Sequence, residues 1–121
     1  MCKNNKIYID GSHNPLGSKV LSEHLETLNC NKHIVLGMME NKDHEKFLSY
    51  FKDISSLTVV DIPNQINAIS GVKLKEKFKN ISNLNYKESI EQAIKSLKLE
   101  RNDIVLITGS IYLAGEVLKI N

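Results

Sequence analysis

Short apolar runs alternate with amphipathic stretches along the 121 residues, and the two patterns predict different elements. Ile7-Tyr8-Ile9, Ile34-Val35-Leu36, Leu57-Thr58-Val59-Val60 and Ile104-Val105-Leu106-Ile107 are rich in β-branched residues and nearly continuous. That is the pattern of parallel strands covered on both faces. Between them, apolar residues recur at steps of three and four: Leu16, Val20, Leu21, Leu25, Leu28, then Phe47, Leu48, Phe51, Ile54, then Ile90, Ala93, Ile94, Leu97. Each set draws one stripe for a helix to bury. A further helix is expected around Leu74 to Phe78, a short strand at Leu84-Asn85-Tyr86, and a closing helix over residues 111–120. Alternation of this kind predicts a Rossmann-like, doubly wound α/β domain: a mostly parallel sheet with helices on both faces.

Composition narrows the class. A chain of this length, 41% hydrophobic and 25% charged, fits one domain, able to bury roughly two-thirds of its unfolded surface. Its apolar runs fall far short of the roughly 20 residues a membrane helix needs. Met1-Cys2-Lys3-Asn4-Asn5 lacks the apolar segment of a secretory leader, so a cytoplasmic protein with no membrane partner is expected. Sixteen cations against fourteen anions, spread along the chain, give a net charge of +2, which does not imply nucleic acid. Lys73, Lys75, Lys77 and Lys79 read as a solvated helix face. Cys2 and Cys30 form no CxxC pair and read as reduced thiols. His24, His33 and His44 lack ligand spacing, so no metal site is expected on this chain.

In doubly wound sheets, ligands sit beyond the carboxyl ends of the strands, where helix N-termini point their free N–H groups. Three polar loops occupy such positions here: Asp10-Gly11-Ser12-His13-Asn14-Pro15, Gly37-Met38-Met39-Glu40-Asn41-Lys42-Asp43, and Thr108-Gly109-Ser110. Asn14 suits a helix N-cap, with Pro15 at the first helical position. Asp10 either accepts N–H bonds within its loop or takes the hydroxyls of a ribose. His13 either donates to a phosphate or carboxylate or is a loop histidine without a role. Asp43 suits the N-cap of the second helix, and Lys42 stands within reach of an anionic ligand. Ser110 caps the closing helix, offers its hydroxyl to a ligand, or does both, and Tyr112 suits packing.

These loops resemble the motifs of one enzyme family. Asp10-Gly11-Ser12-His13-Asn14-Pro15 is similar to the DG-A-HNP signature that opens the C-terminal domain of folylpolyglutamate synthase/dihydrofolate synthase, a branch of the Mur ligase superfamily. Val35-Leu36-Gly37-Met38-Met39 with Asn41-Lys42-Asp43 resembles its V-L-G-M-M-x-D-K-D stretch, and the segment from Thr108 to Leu118 its T-G-S-L-Y-L-x-G-E-V-L terminus. Ser12 and Asn41 depart from the usual Ala and Asp. The ordered motifs span Ile7 to Leu118, and the last favours the folate branch over other Mur ligases.

The resemblance implies a Mur-ligase-type C-terminal (glutamate ligase) domain over residues 1–121, from an enzyme that uses ATP to join L-glutamate to a folate or dihydropteroate through an acyl phosphate. It implies ATP contact for Asp10 and a place beside glutamate for His13 and Ser110. Asn14, Lys42, Asp43 and Tyr112 become supporting residues. The family's Gly-rich phosphate loop and Mg2+ ligands belong to an N-terminal domain, in cis or as a separate chain. This sequence contains no G-x-x-x-x-G-K-[ST] element, so the 121 residues alone are expected to be inactive. Two alternatives share the pattern of elements. One is an orphan nucleotide-binding or scaffolding domain without catalysis. The other is a receiver-like signalling domain with Asp61 as phosphoacceptor, which lacks the expected acidic pair after the first strand.

Overall fold

The computed structural model describes residues 6–119, so Cys2 and Ile120 lie outside the described residues. Ten elements alternate in order: β1 (Lys6–Ile9), α1 (Pro15–Glu26), β2 (Lys32–Leu36), α2 (His44–Ser49), β3 (Ser56–Val60), α3 (Gly71–Lys77), β4 (Leu84–Lys87), α4 (Ile90–Ser96), β5 (Ile104–Thr108) and α5 (Ile111–Lys119). The expected alternation, including the short strand before α4, is therefore present. The strands form one sheet in the order β1-β5-β2-β3-β4, and every pairing is parallel.

The path of the chain divides the helices between two faces. Leu25 of α1, Phe47 and Leu48 of α2 and Leu74 of α3 pack on one face, against Ile34, Leu36, Leu57, Val59 and Leu106. The chain then returns through α4 and inserts β5 between β1 and β2. Ile90 and Ala93 of α4 with Leu113 and Val117 of α5 pack on the other face, against Val35, Val60, Val105 and Ile107. Consecutive strand residues thus feed opposite cores, which is why the central strands read as unbroken apolar runs. Fully burying each aliphatic side chain contributes about 1.5–3 kcal/mol.

Three local patterns differ from expectation. In α1 the buried residues are Ser18, Ser22 and Leu25, while Leu16 and Val20 are exposed. Each serine donates its hydroxyl to a carbonyl three residues earlier, Ser18 to Pro15 and Ser22 to Lys19. The hydroxyls are thereby satisfied inside the helix, and small side chains occupy the face predicted to be leucine-rich. β1 lies at the sheet edge, so Ile7 and Ile9 remain partly exposed instead of covered. α2 stops at Ser49, leaving Phe51 and Ile54 beyond its end to pack against the core.

The opposite edge is fastened by Asp61, just after β3. One oxygen accepts the Gly71 N–H at the start of α3, 2.7 Å away, and the other accepts the Tyr86 hydroxyl of β4. That bond, burial and the negative charge of Asp61 push the Tyr86 phenol up to about 12.

Candidate functional site

The chain leaves β2 for α2 on one face and leaves adjacent β5 for α5 on the other. Diverging connections of this kind open a crevice at the carboxyl ends of the two strands. A cleft of about 310 Å³ lies there. Its wall includes His13 from the loop after β1, Met39, Asn41 and Lys42 from the loop after β2, and Ser110, Ile111 and Tyr112 after β5.

Glycine lets these loops close on one another. Gly109 has φ +110°, and a Cβ there would collide with the Gly37 carbonyl oxygen, a position that a larger residue occupies only with strain. Gly109 N–H donates to Ser12 O at 3.1 Å, and Gly37 N–H to Thr108 O at 3.3 Å, so the loops are joined backbone to backbone. The β2 loop is also pinned to the segment before α3: Glu40 N–H donates to Asn67 O at 2.8 Å, Ile69 N–H donates to Met38 O at 3.1 Å, and Met39 bridges Ala68.

The residues singled out from sequence separate into two groups. His13, Lys42, Ser110 and Tyr112 line the cleft. The Nδ1 atom of His13 is buried and lacks a hydrogen-bond partner within the protein, so a water or a ligand has to satisfy it. Ser110 is buried, and its Oγ accepts the Tyr112 N–H at 3.0 Å, so it caps α5 while forming part of the wall. Its hydroxyl hydrogen remains a donor.

Asp10, Asn14 and Asp43 are outside that lining. Asp10 Oδ1 accepts the Ser12 N–H at 2.7 Å, closing the loop on itself, while the Asp10 N–H extends the sheet to Ile107 O. Asn14 Oδ1 caps α1 through the Gly17 N–H at 2.9 Å, and Asp43 caps α2 through the Lys46 N–H at 3.2 Å. Met39, Asn41 and Ile111 belong to the wall without having been singled out. The position just beyond a strand end, the same signal that marks Lys42, would have found all three.

The lining contains one lysine and no carboxylate. α1 and α5 both begin beside it, and neither has an acidic residue in its first turn. At α1 the first residue is Pro15, which has no N–H, and Asn14 takes the Gly17 N–H. It is therefore the start of α5, with Ile111 and Tyr112 in the wall, that together with the Lys42 ammonium favours an anionic ligand. Among the described residues no three His, Cys, Asp or Glu side chains gather to hold a metal ion. No helix among them is long and apolar enough to cross a membrane. The receiver-like alternative is not supported by this geometry: Asp61 is held by Gly71 and Tyr86, and the strand order differs from the 2-1-3-4-5 order of such domains.

Residues 1–111 match the Mur ligase, glutamate ligase domain. The dihydrofolate synthase/folylpolyglutamate synthase of Bacillus subtilis is 28% identical over 120 residues, a match covering 93% of this chain and 27% of that protein. The chain thus spans little more than a quarter of that relative. The folylpolyglutamate synthase of Mycobacterium tuberculosis, complexed with ADP and AMPPCP, superposes with a TM-score of 0.80 at 22% identity, covering 94% of this chain and 29% of that one. The bifunctional folylpolyglutamate synthase/dihydrofolate synthase of Yersinia pestis, complexed with AMPPNP and a Mn ion, gives 0.80 at 19% identity, covering 94% and 28%. These two likenesses establish the common fold, and the match over most of the sequence establishes kinship: the chain belongs to the Mur ligase family as its glutamate ligase domain.

Proposed function

We propose that this domain is the C-terminal part of an ATP-dependent ligase of the folylpolyglutamate synthase/dihydrofolate synthase type, joining L-glutamate to a folate or dihydropteroate. The observation that carries the proposal is the convergence of His13, Lys42 and Ser110, from three strand ends, on one anion-favouring cleft.

In the reaction, a substrate carboxylate takes the γ-phosphoryl group of ATP, releasing ADP. The glutamate amine then attacks the acyl phosphate, forming the amide and releasing phosphate and a proton. The domain's own contribution is placement. Ser110 donates its hydroxyl to a carboxylate while its oxygen stays fixed by the Tyr112 N–H. Lys42 offsets carboxylate or phosphate charge, and His13 turns its unpartnered Nδ1 to the same ligand. Holding the amine in line with the acyl carbon lowers the entropic part of the barrier. Asp10 Oδ2, the oxygen outside the Ser12 turn, is assigned to the ATP ribose. Asn14, Asp43 and Tyr112 keep the loops in shape.

The divalent metal implied by the family has no ligand set among the described residues. We assign the metal ligands and the phosphate loop to an N-terminal domain, in the same chain or another polypeptide. Phosphoryl transfer depends on that loop and on charge neutralisation, so the 121 residues alone should not ligate glutamate.

Titration of the 15N-labelled chain with ADP, followed by amide shifts, tests the proposal. Weak binding is expected, with a Kd near millimolar, about 4 kcal/mol, shifting Ser12, Lys42 and Ser110 and weakening on Asp10→Ala. ATP-dependent ligation by the isolated chain, or shifts confined to another surface, would overturn it. Micromolar ADP binding lost on Asp10→Ala would favour a stand-alone nucleotide-binding domain instead.

A further inference from the structure

His44 is buried at the start of α2, and each ring nitrogen has a partner of fixed chemistry. Nε2 lies 2.8 Å from the Met39 carbonyl oxygen. Nδ1 lies 2.9 Å from Lys77 Nζ, at the end of α3. A carbonyl only accepts and an ammonium only donates, so the two contacts together select one species: neutral imidazole with its proton on Nε2. Lys77 Nζ is also 3.3 Å from Glu45 Oε1. A continuous path therefore runs from Glu45 through Lys77 and His44 to the backbone of Met39.

Met39 belongs to the cleft wall, and its carbonyl also faces the Lys42 N–H at 3.4 Å. The segment carrying Met39, Asn41 and Lys42 is thus fastened to the strand-like pairing before α3, through the Met39–Ala68 bridge and its Glu40–Asn67 and Met38–Ile69 bonds, and separately to α3 through His44. We propose that His44 is a positioning residue of the cleft. Held in one tautomer by Lys77, it fixes the Met39 carbonyl and thereby where the Lys42 ammonium stands. Its ring reaches α3 through Lys77 and the cleft through Met39 O, so it acts on the ligand only through the β2 loop. The inference relies on the proposed function solely for what fills the cleft; the fastening itself is independent of any ligand.

The 121-residue chain labelled with 15N-histidine tests this, first unaltered and then in variants. Ring nitrogen shifts are expected to show His44 protonated at Nε2 and bare at Nδ1, and Lys77→Met should move the Nδ1 signal. Amide exchange at Glu40 is expected to speed up roughly tenfold in His44→Leu, as the loss of one hydrogen bond allows. It should change little in His44→Gln, whose amide both donates and accepts. ADP should bind several-fold more weakly to His44→Leu than to His44→Gln. A proton on Nδ1, or equal Glu40 exchange in His44→Leu, His44→Gln and the unaltered chain, would overturn the proposal. Should His44→Leu fail to fold, the ring shifts and the exchange rate of Lys77→Met decide. Absence of ADP binding to the unaltered chain would count against the proposed function, while the tautomer and exchange results would still decide the role of His44.

Discussion

The two ends of the sheet use similar residues to opposite effect. At the amino end, Ser56, His33 and Asp103 stand in sequence: Ser56 Oγ is 2.8 Å from His33 Nδ1, and His33 Nε2 is 3.1 Å from Asp103 Oδ2. The order is that of a nucleophile, a base and an orienting acid, yet the residues close upon one another. Asp103 also takes the Glu100 N–H at 2.9 Å, Lys32 N–H donates to Ser55 Oγ, and the Asn83 amide donates to Ser55 O. At the carboxyl end, His13 Nδ1 and Thr108 Oγ1 are buried without partners, and a cleft lies beside His13. Thr58 Oγ1, within β3, shares that state, and nothing in the structure explains it. A polar group whose bonds are met within the protein holds the fold together. One left unmet beside a cleft costs stability and becomes useful only when a ligand arrives.

The largest expected break in this contrast is Gly109→Ala. The alanine would have to keep φ near +110° and displace the Gly37 carbonyl, a combination expected to cost about 3 kcal/mol. Urea denaturation should show the loss. A variant of unchanged stability would mean that the β2 and β5 loops are not held as described.

Next in size is the amino end. Asp103→Ala removes the acceptor of His33 Nε2 and of the Glu100 N–H, and should cost about 2 kcal/mol while leaving the ADP-induced shifts in place. The carboxyl also gives a pH signature. Burial raises its pKa, but the Glu100 N–H, His33 and Asn31 outweigh that and hold it below its usual value. A carboxyl lowered by folding contributes stability at pH values above its unfolded pKa, near 4, and loses it as pH falls through the lower folded value. The stability gap between the unaltered chain and Asp103→Asn should therefore be full at neutral pH and shrink below about pH 4. A gap that is constant from pH 7 to pH 2.5 would show that Asp103 ionisation contributes nothing.

The contrast between the ends was legible in sequence only in part, for reasons that differ by element. β2, β3 and β5 announce themselves because both faces are covered. The edge strand β1 carries the same apolar letters, yet lacks that cover. In α1 the leucines drew attention, whereas Ser18 and Ser22 occupy the buried face because their hydroxyls bond within their own helix. His13, Lys42 and Ser110 could be placed at one end of the sheet from strand boundaries alone. Their partners could not. Nothing in the spacing links His44 to Lys77, 33 residues later, or His33 to Asp103, 70 later, because those contacts depend on where whole helices and strands settle. For the same reason Asp10, read as a loop acceptor or a ribose ligand, is now seen closing its own turn through one oxygen.

A smaller effect separates ligand contacts from scaffold. Lys42→Ala should weaken ADP binding about fivefold, near 1 kcal/mol, while shifting the urea midpoint little, since the side chain is only half-buried and surface charges add little to stability. Equal affinity in the variant would remove Lys42 from the cleft's chemistry, leaving the start of α5 as its positive feature.

The smallest effect is expected at Asn14, and it sharpens the contrast within a single loop. Asn14 is next to His13 in sequence, yet its side chain caps α1 through the Gly17 N–H, whereas His13 lines the cleft with Nδ1 unmet. Glycine is tolerated at an N-cap, so Asn14→Gly should cost only a few tenths of a kcal/mol, and Asn14→Ala about 1 kcal/mol. Both variants should bind ADP as the unaltered chain does, because capping spends the Asn14 oxygen on the helix rather than on a ligand. A His13→Ala variant should show the reverse, with affinity lost and stability kept or slightly raised as the buried unpaired nitrogen is removed. Affinity lost in Asn14→Gly with stability unchanged would make Asn14 a ligand contact, and the boundary between scaffold and site would then fall one residue later along the chain.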